Sequence, residues 1–203
     1  MSINLPKELP EKQINRMMER IKRAPHALDG YIHGIYYLTR EIKPEVIVEL
    51  GTNVGDSAFA YLCAIEMNQK GHLWTIDISS NDVEALKNDV SSFNWNDKID
   101  IINSDSVEYS KSWPPSKKID LLYIDTNHAY DHTKNELNSW VPILKKDGFL
   151  LMDDFFTTDV WKAFFDWVQT DKEILSEIRI AIGQDKILTS PHHTLLIARK
   201  YKE

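Results

Sequence analysis

The chain has 203 residues, one cysteine and a formal net charge of −7 from 24 basic and 31 acidic side chains. Its length suits one domain, and a chain of that size buries roughly 70% of its unfolded surface without disulfide or metal staples. Apolar and charged shares of 42% and 27% are ordinary for a globular chain and exclude the disordered, collagen-like and coiled-coil classes. Cys63, being alone, excludes an intramolecular disulfide and fits a reducing compartment, so a cytoplasmic protein is expected. No apolar run approaches the roughly 20 residues a bilayer span needs. The first stretch, MSINLPKELPEKQINRMMERIKR, carries charges where a signal peptide needs an apolar core, so no membrane partner is expected. The acidic balance argues against a nucleic-acid partner, which calls for basic surface.

In chain order, Ile14, Met17, Met18 and Ile21 form a helical stripe that Pro25 ends. A second helix is expected from Leu28 to Ile42, stopped by Pro44. Val46–Leu50 (VIVEL) then reads as a strand, Ser57–Asn68 as a helix and Leu73–Ile78 as a strand. Asn81 and Glu84 have capping-box spacing and open a helix through Val90. Ile99–Ile102 and Ile119–Ile124 are further strands, Thr133–Trp140 a helix and Gly148–Met152 a fifth strand. Val160–Val168 reads as a helix with Trp161, Phe164, Phe165 and Val168 on one face. Ile178–Ile182 and Thr194–Ala198 are the last two strands expected.

Strands alternating with helices predict a Rossmann-like, doubly wound α/β fold with a mostly parallel seven-stranded sheet. Residues 1–44 would be N-terminal cap helices, and residues 45–203 the α/β core of the same single domain. Ligands of such sheets bind beyond the carboxyl ends of the strands. Those ends read Glu49-Leu50-Gly51, Asp77-Ile78, Ser104-Asp105, Asp125 and Asp153-Asp154, so every one carries an acid.

The first strand runs into Gly51-Thr52-Asn53-Val54-Gly55-Asp56-Ser57. Glycines in a strand-to-helix turn let backbone approach a ligand closely. A dinucleotide fingerprint would need glycine where Asn53 stands, a Walker loop needs a lysine after Gly55, and no hydrolase elbow is present. What remains is an acid followed by G-x-x-x-G, with Asp77 ending the next strand, where a carboxylate can hold a ribose diol. The carboxylates of Glu49 and Asp56 suit a cationic cofactor and would disfavour a pyrophosphate. At these residues the chain resembles the class I S-adenosylmethionine-dependent methyltransferases. The resemblance implies a cofactor site built from Glu49, Gly51, Thr52, Asn53, Gly55 and Ser57 under the methionine part. It further implies Asp77 on the ribose, Ser104, Asp105 and Ser106 near the adenine, and Asp125 beside the methyl donor.

At the acceptor end, three carboxylates from the fourth and fifth strand ends would converge, and hard oxygen ligands suit Mg²⁺, Mn²⁺ or Ca²⁺. The stretch IDLLYIDTNHAYDHTKNELNSWVPILKKDGFLLMDD resembles small-molecule O-methyltransferases, sugar- and antibiotic-modifying ones and, more distantly, the catechol type. That resemblance covers roughly Val46 to Asp154 and implies Asp125, Asp153 and Asp154 as ligands of a divalent cation, Mg²⁺ first, with His128 as the base. Successive strand residues face opposite ways, so Asp153 and Asp154 can share a metal only if the strand has ended and the backbone turns there. Phe155, Phe156 and Trp161 are placed to frame an acceptor ring. Tyr31, His33, Tyr36 and Tyr37 could line its pocket or pack on the sheet. Cys63 reads as core and His192-His193 as a turn.

The reaction expected is methyl transfer from S-adenosylmethionine to a hydroxyl of a small molecule, with metal and base assisting. The rivals are a metal-independent methyltransferase acting on another atom and a non-catalytic S-adenosylmethionine-binding module. A nucleic-acid amino-methylating enzyme often carries [DNS]-P-P-[YF] after the fourth strand, where this chain has Asp125-Thr126-Asn127-His128. The oligomeric state stays open, a homo-oligomer included.

Overall fold

A computed structural model describes residues 8–23, 31–79, 83–170, 175–182 and 194–200. The elements are α1 (Glu11–Arg23), α2 (Tyr31–Ile42), β1 (Val46–Leu50), α3 (Asp56–Asn68), β2 (His72–Asp77), α4 (Glu84–Ser92) and β3 (Ile99–Asn103). They continue with α5 (Ser106–Ser110), β4 (Ile119–Ile124), α6 (Tyr130–Trp140), β5 (Leu144–Met152), α7 (Thr158–Thr170), β6 (Leu175–Ile182) and β7 (Thr194–Lys200).

The strands form one sheet in the order β3-β2-β1-β4-β5-β7-β6. β3 through β5 are parallel, and β7 runs antiparallel to both β5 and β6. Strands covered on both faces read as continuous apolar runs, and VIVEL is such a run. Its residues alternate: Ile47 enters the core beneath α1–α4, while Val48 and Leu50 enter the core beneath α6 and α7. Helix α3 is buried from Asp56 to Ile65, as befits a helix apolar nearly all round that is covered on both sides. Cys63 lies in that run, and burial pushes its thiol up, so it is core.

Several expectations change. Helices α1 and α2, expected as N-terminal cap helices, share a core with α3 through Met17, Ile21, Ile32 and Ile35. Helix α5 is additional; Asp105 caps it by accepting the Glu108 amide at 2.9 Å. On α7 the buried residues are Val160, Ala163, Phe164 and Trp167, whereas Trp161 and Phe165 turn outward. Pro25, Asn81 and His192-His193 lie outside the described residues. Among the described residues no helix is long and apolar enough to cross a membrane.

Candidate active site

Strand order reverses direction at β1 and β4, with β2 and β3 on one side and β5 on the other. Such a switch point leaves a crevice beyond the strand ends, where ligands of open α/β sheets bind. Backbone bonds carry the sheet's register one residue past each strand. Asp153 N donates to Ile124 O, Asp125 N to Leu50 O, Gly51 N to Ile76 O and Ser104 N to Asp77 O, at 2.8–3.0 Å. The sequence-predicted residues thus stand in one row along the carboxyl edge.

The glycine turn lies at the centre of that row. Gly51 has φ 96°, and a Cβ there would lie 1.8 Å from the carbonyl oxygen of Asp125, so only glycine fits. Asn53, in the place of a fingerprint glycine, takes a left-handed φ of 45°, which asparagine tolerates better than most residues. Asp77 accepts the amides of Thr52 and Asn53 on one oxygen, both at 2.8 Å, and the amide of Ser79 on the other. Its carboxylate therefore builds the turn.

Beneath the turn, Glu49 is fully buried and accepts hydroxyls from Ser57 and Thr75 at 2.5 Å each. Burial pushes its carboxyl up to about 8; the hydroxyls of Ser57 and Thr75 oppose that rise, and Asp125 and Asp77 add to it. Asp56 is paired at 2.5 Å with the buried Arg20. Neither acid is the free charge the sequence suggested would repel a pyrophosphate. A phosphate needs unpaired turn amides, and Asp77 already occupies those of Thr52 and Asn53.

At the far end of the row, Asp105 is committed to capping α5, and the Ser106 hydroxyl points inward to Glu136 at 2.5 Å. Glu136 also accepts from Thr126 at 3.0 Å and pairs with His132 at 3.1 Å. A pattern search over strand ends misses Glu136, because it lies inside α6. It also passes over Ile78, a large apolar side chain left 75% exposed directly after Asp77.

On the other side, Asp125 accepts from the Tyr123 hydroxyl at 3.2 Å and lies 3.4 Å from Nε2 of His128. Asp154 is 3.8 Å from Nδ1 of the same ring. His128 and Asp154 both hold left-handed backbone, φ 56° and 47°. β5 ends at Met152, so the strand alternation does not continue through Asp153 and Asp154. The ligand atoms of Asp125, His128 and Asp153 lie within 4.8 Å of one another. His128, expected as a base, is thus grouped with two of the expected ligands, and Asp154 stands behind its ring.

Two buried atoms here, Nε2 of His128 and Oδ1 of Asp153, make no hydrogen bond. Burial, then the charges of Asp125 and Asp154, drive the Asp153 carboxyl well above its ordinary range. Burial alone would lower His128, but Asp125, Asp154 and Glu136 together outweigh it and leave the imidazole raised. Clustered acids with orphaned polar atoms fit a divalent cation, which would satisfy both atoms and offset the repulsion. Two carboxylates with one imidazole suit Mn²⁺ or Fe²⁺ as well as Mg²⁺.

Of the aromatic residues expected around an acceptor, Phe155 is buried in the core with Phe164, while Phe156 and Trp161 are each 41% exposed. Phe165, 43% exposed, packs edge-on to Trp161 at 5.6 Å and joins them. Tyr36 is core and Tyr37 is exposed; the side chain of Tyr31 lies outside the described residues.

A sheet of this order, with an acid-and-glycine turn at its switch point and an acid ending the neighbouring strand, defines the class I S-adenosylmethionine-dependent methyltransferase fold. Residues 48–155, more than half of the chain, match the sequence model of the methyltransferase domain family, and the chain belongs to that family. Solved structures agree on the fold. An O-methyltransferase from Bacillus cereus in complex with S-adenosylhomocysteine superposes with a TM-score of 0.71 at 13% identity, covering 98% of this chain and 93% of that one. A methyltransferase from Podospora anserina, also bound to S-adenosylhomocysteine, gives 0.67 at 16% identity, with 96% and 89% covered. An rRNA methylase from Streptococcus thermophilus gives 0.64 at 13% identity, with 84% and 96% covered. The protein is an S-adenosylmethionine-dependent methyltransferase. Identities this low speak for the fold, and neighbours with different acceptors share it.

Proposed function

We propose that the enzyme methylates a hydroxyl of a small molecule, with a divalent cation, Mg²⁺ first, at the acceptor end. The observation that carries this reading is the convergence of Asp125, His128 and Asp153 beside the glycine turn, two of them with orphaned buried atoms. Asp125 and Asp153 would hold the cation, with Asp154 as the third carboxylate. S-adenosylmethionine would supply a sulfonium methyl and become a neutral thioether, and the cation would supply positive charge that favours an ionised acceptor hydroxyl. Asp77 positions the ribose, and the exposed Ile78 gives the adenine an apolar face. Ser104 stays near the adenine, while Asp105 and Ser106 serve through the fold of α5. His128 accepts the proton of the acceptor hydroxyl, and Phe156, Trp161 and Phe165 flank the acceptor. The net charge of −7 favours a small acceptor over a nucleic acid.

The test measures S-adenosylhomocysteine formation with a panel of sugar, phenol and catechol hydroxyls. EDTA should abolish turnover but leave cofactor binding intact, and Mg²⁺ or Mn²⁺ should restore it. Full activity in EDTA would move the reading to a metal-independent enzyme; no turnover with any acceptor would favour a binding module. The 4.8 Å grouping favours one second reading, in which His128 is itself a ligand. His128→Ala separates the two. As a base it retains cation affinity and loses roughly 10²–10⁴ in kcat; as a ligand it loses the cation.

A further inference from the structure

We propose that Arg20, on α1, is a positioning residue for the cofactor turn, so that docking of α1 and binding of the cofactor are coupled. The inference rests on the cofactor occupying the glycine turn. Arg20 lies outside residues 48–155, so the family match assigns it nothing.

Its guanidinium is 1% exposed and uses every face. Nη1 donates to the carbonyl of Val54 at 3.1 Å and to Asp56 at 2.5 Å. Nε and Nη2 donate to Asp89 of α4 at 3.0 and 2.5 Å, and the group stands over the Phe59 ring at 5.1 Å. Arg16, one helical turn earlier, takes the other oxygen of Asp89 at 2.7 Å. Asp89 thus takes both arginines, and Arg16, part-exposed, also pairs with Glu19 at 3.0 Å.

The position of Val54 and Asp56 gives this network its meaning. They flank Gly55, whose amide closes the turn onto Thr52 O at 2.8 Å and whose left-handed backbone starts α3. Asp77 fastens the turn's amides from the sheet side, and Arg20 fastens its carbonyl from the α1 side. A buried guanidinium cannot release one partner without stranding the rest. A cofactor that needs the turn in this shape therefore favours docked α1, and docked α1 favours the turn. Lysine could not replace the fork, because a point charge cannot span Val54 O, Asp56 and Asp89 together.

The experiment uses the full chain and S-adenosylhomocysteine as probe. Calorimetry on wild type and Arg20→Lys should show binding weakened by about 5- to 50-fold, within the usual range of coupling between sites. Hydrogen exchange on wild type should show the amides of Glu11–Arg23 slowed by the ligand, and Asp56→Asn should shrink that slowing. A purely structural Arg20 would lower the melting temperature of Arg20→Lys while leaving its affinity unchanged, and that result overturns the proposal. So does an α1 whose exchange ignores the ligand; this measurement needs no variant and stands even if Arg20→Lys fails to fold. Wild type that binds no S-adenosylhomocysteine overturns the cofactor reading and this inference with it; wild type that binds normally isolates the inference.

Discussion

The two halves of the carboxyl edge are built on opposite principles. On the cofactor side the turn is tied from both flanks: Asp77 holds the amides of Thr52 and Asn53, Arg20 holds the carbonyl of Val54, and two hydroxyls hold Glu49. On the acceptor side Oδ1 of Asp153 makes no hydrogen bond, Nε2 of His128 has only the Asp125 carboxylate at 3.4 Å, and His128 and Asp154 keep left-handed backbone. The first half is preorganised by its own bonds, and a ligand meets a turn already in shape. The second gathers like charge around a buried carboxyl, which a proton on Asp153 or an added positive group relieves. Rigid recognition of a common cofactor and adjustable chemistry on an acceptor can thus share one row of residues.

The largest expected effect joins the halves. Gly51→Ala puts a Cβ 1.8 Å from Asp125 O on left-handed backbone. Overpacking and backbone strain together should cost at least about 3 kcal/mol and displace β1 from β4. Thermal melts should show a large loss of stability, or no folded protein. A variant melting like wild type would mean the two strand ends are farther apart than this geometry has them.

Asp153→Asn tests the acceptor side alone. A carboxyl whose pKa is raised on folding stabilises the protein fully below its unfolded value and loses that contribution as pH rises toward the folded one. Wild type without cation should therefore lose stability as pH climbs from about 4, and Asp153→Asn should lose less. With Mn²⁺ at a hundredfold over its Kd, wild type should gain about 2.7 kcal/mol and the variant little. Melts at pH 5 and pH 8, with and without Mn²⁺, check both arms. Equal behaviour of the two proteins would remove Asp153 from the centre.

On the cofactor side Asp77→Asn keeps size but leaves one oxygen for three amides. Each charge-assisted bond lost is worth about 1.5–3 kcal/mol. Melting temperature and S-adenosylhomocysteine affinity should fall together, because the same carboxylate builds the turn and meets the ligand. Separate effects, one measured by scanning calorimetry and the other by titration, would show that the turn holds without it.

The contrast also explains what was legible in the sequence. Val46–Leu50 and Ile119–Ile124 stand as read, because short β-branched and apolar runs bounded by turns suit strands covered on both faces. The expected Gly148–Met152 begins earlier, at Leu144; Lys145, Lys146 and Asp147 look like a loop, yet Lys145 pairs with Asp120 at the β4 edge. Helix α5 was hidden by its five polar-rich residues and announced only by Asp105. The outward Phe165 follows from where α7 meets α6 and the sheet, which hydrophobicity does not encode. At the site, the acids at the strand ends were readable from spacing. Their charge states were not. Glu49 and Asp56 differ in what buries or pairs them, and Arg20 lies 36 positions from Asp56.

The smallest effect is a single proton, and it sharpens the contrast because it concerns the buried Glu49 carboxyl on the satisfied side. Burial raises the Glu49 carboxyl from 4.5 to about 8, so in the ligand-free protein at pH 7 it is mostly neutral. A sulfonium or ammonium brought to the turn favours the ionised form and lowers that pKa. Binding of S-adenosylmethionine near pH 7 should then release up to about one proton, and affinity should rise with pH and level off above about 8. S-adenosylhomocysteine lacks the sulfonium charge and should release less. Titration calorimetry in two buffers of different ionisation enthalpy counts the proton. Glu49→Gln keeps acceptors for Ser57 or Thr75 but has nothing to release, so its enthalpy should not depend on buffer. Its stability should also lose the decline that wild type shows between pH 4.5 and about 8, since an acid raised on folding stabilises below its unfolded pKa and not above its folded one. Equal proton release from wild type and Glu49→Gln would assign the linkage to another group, and Asp77 would be the next to replace.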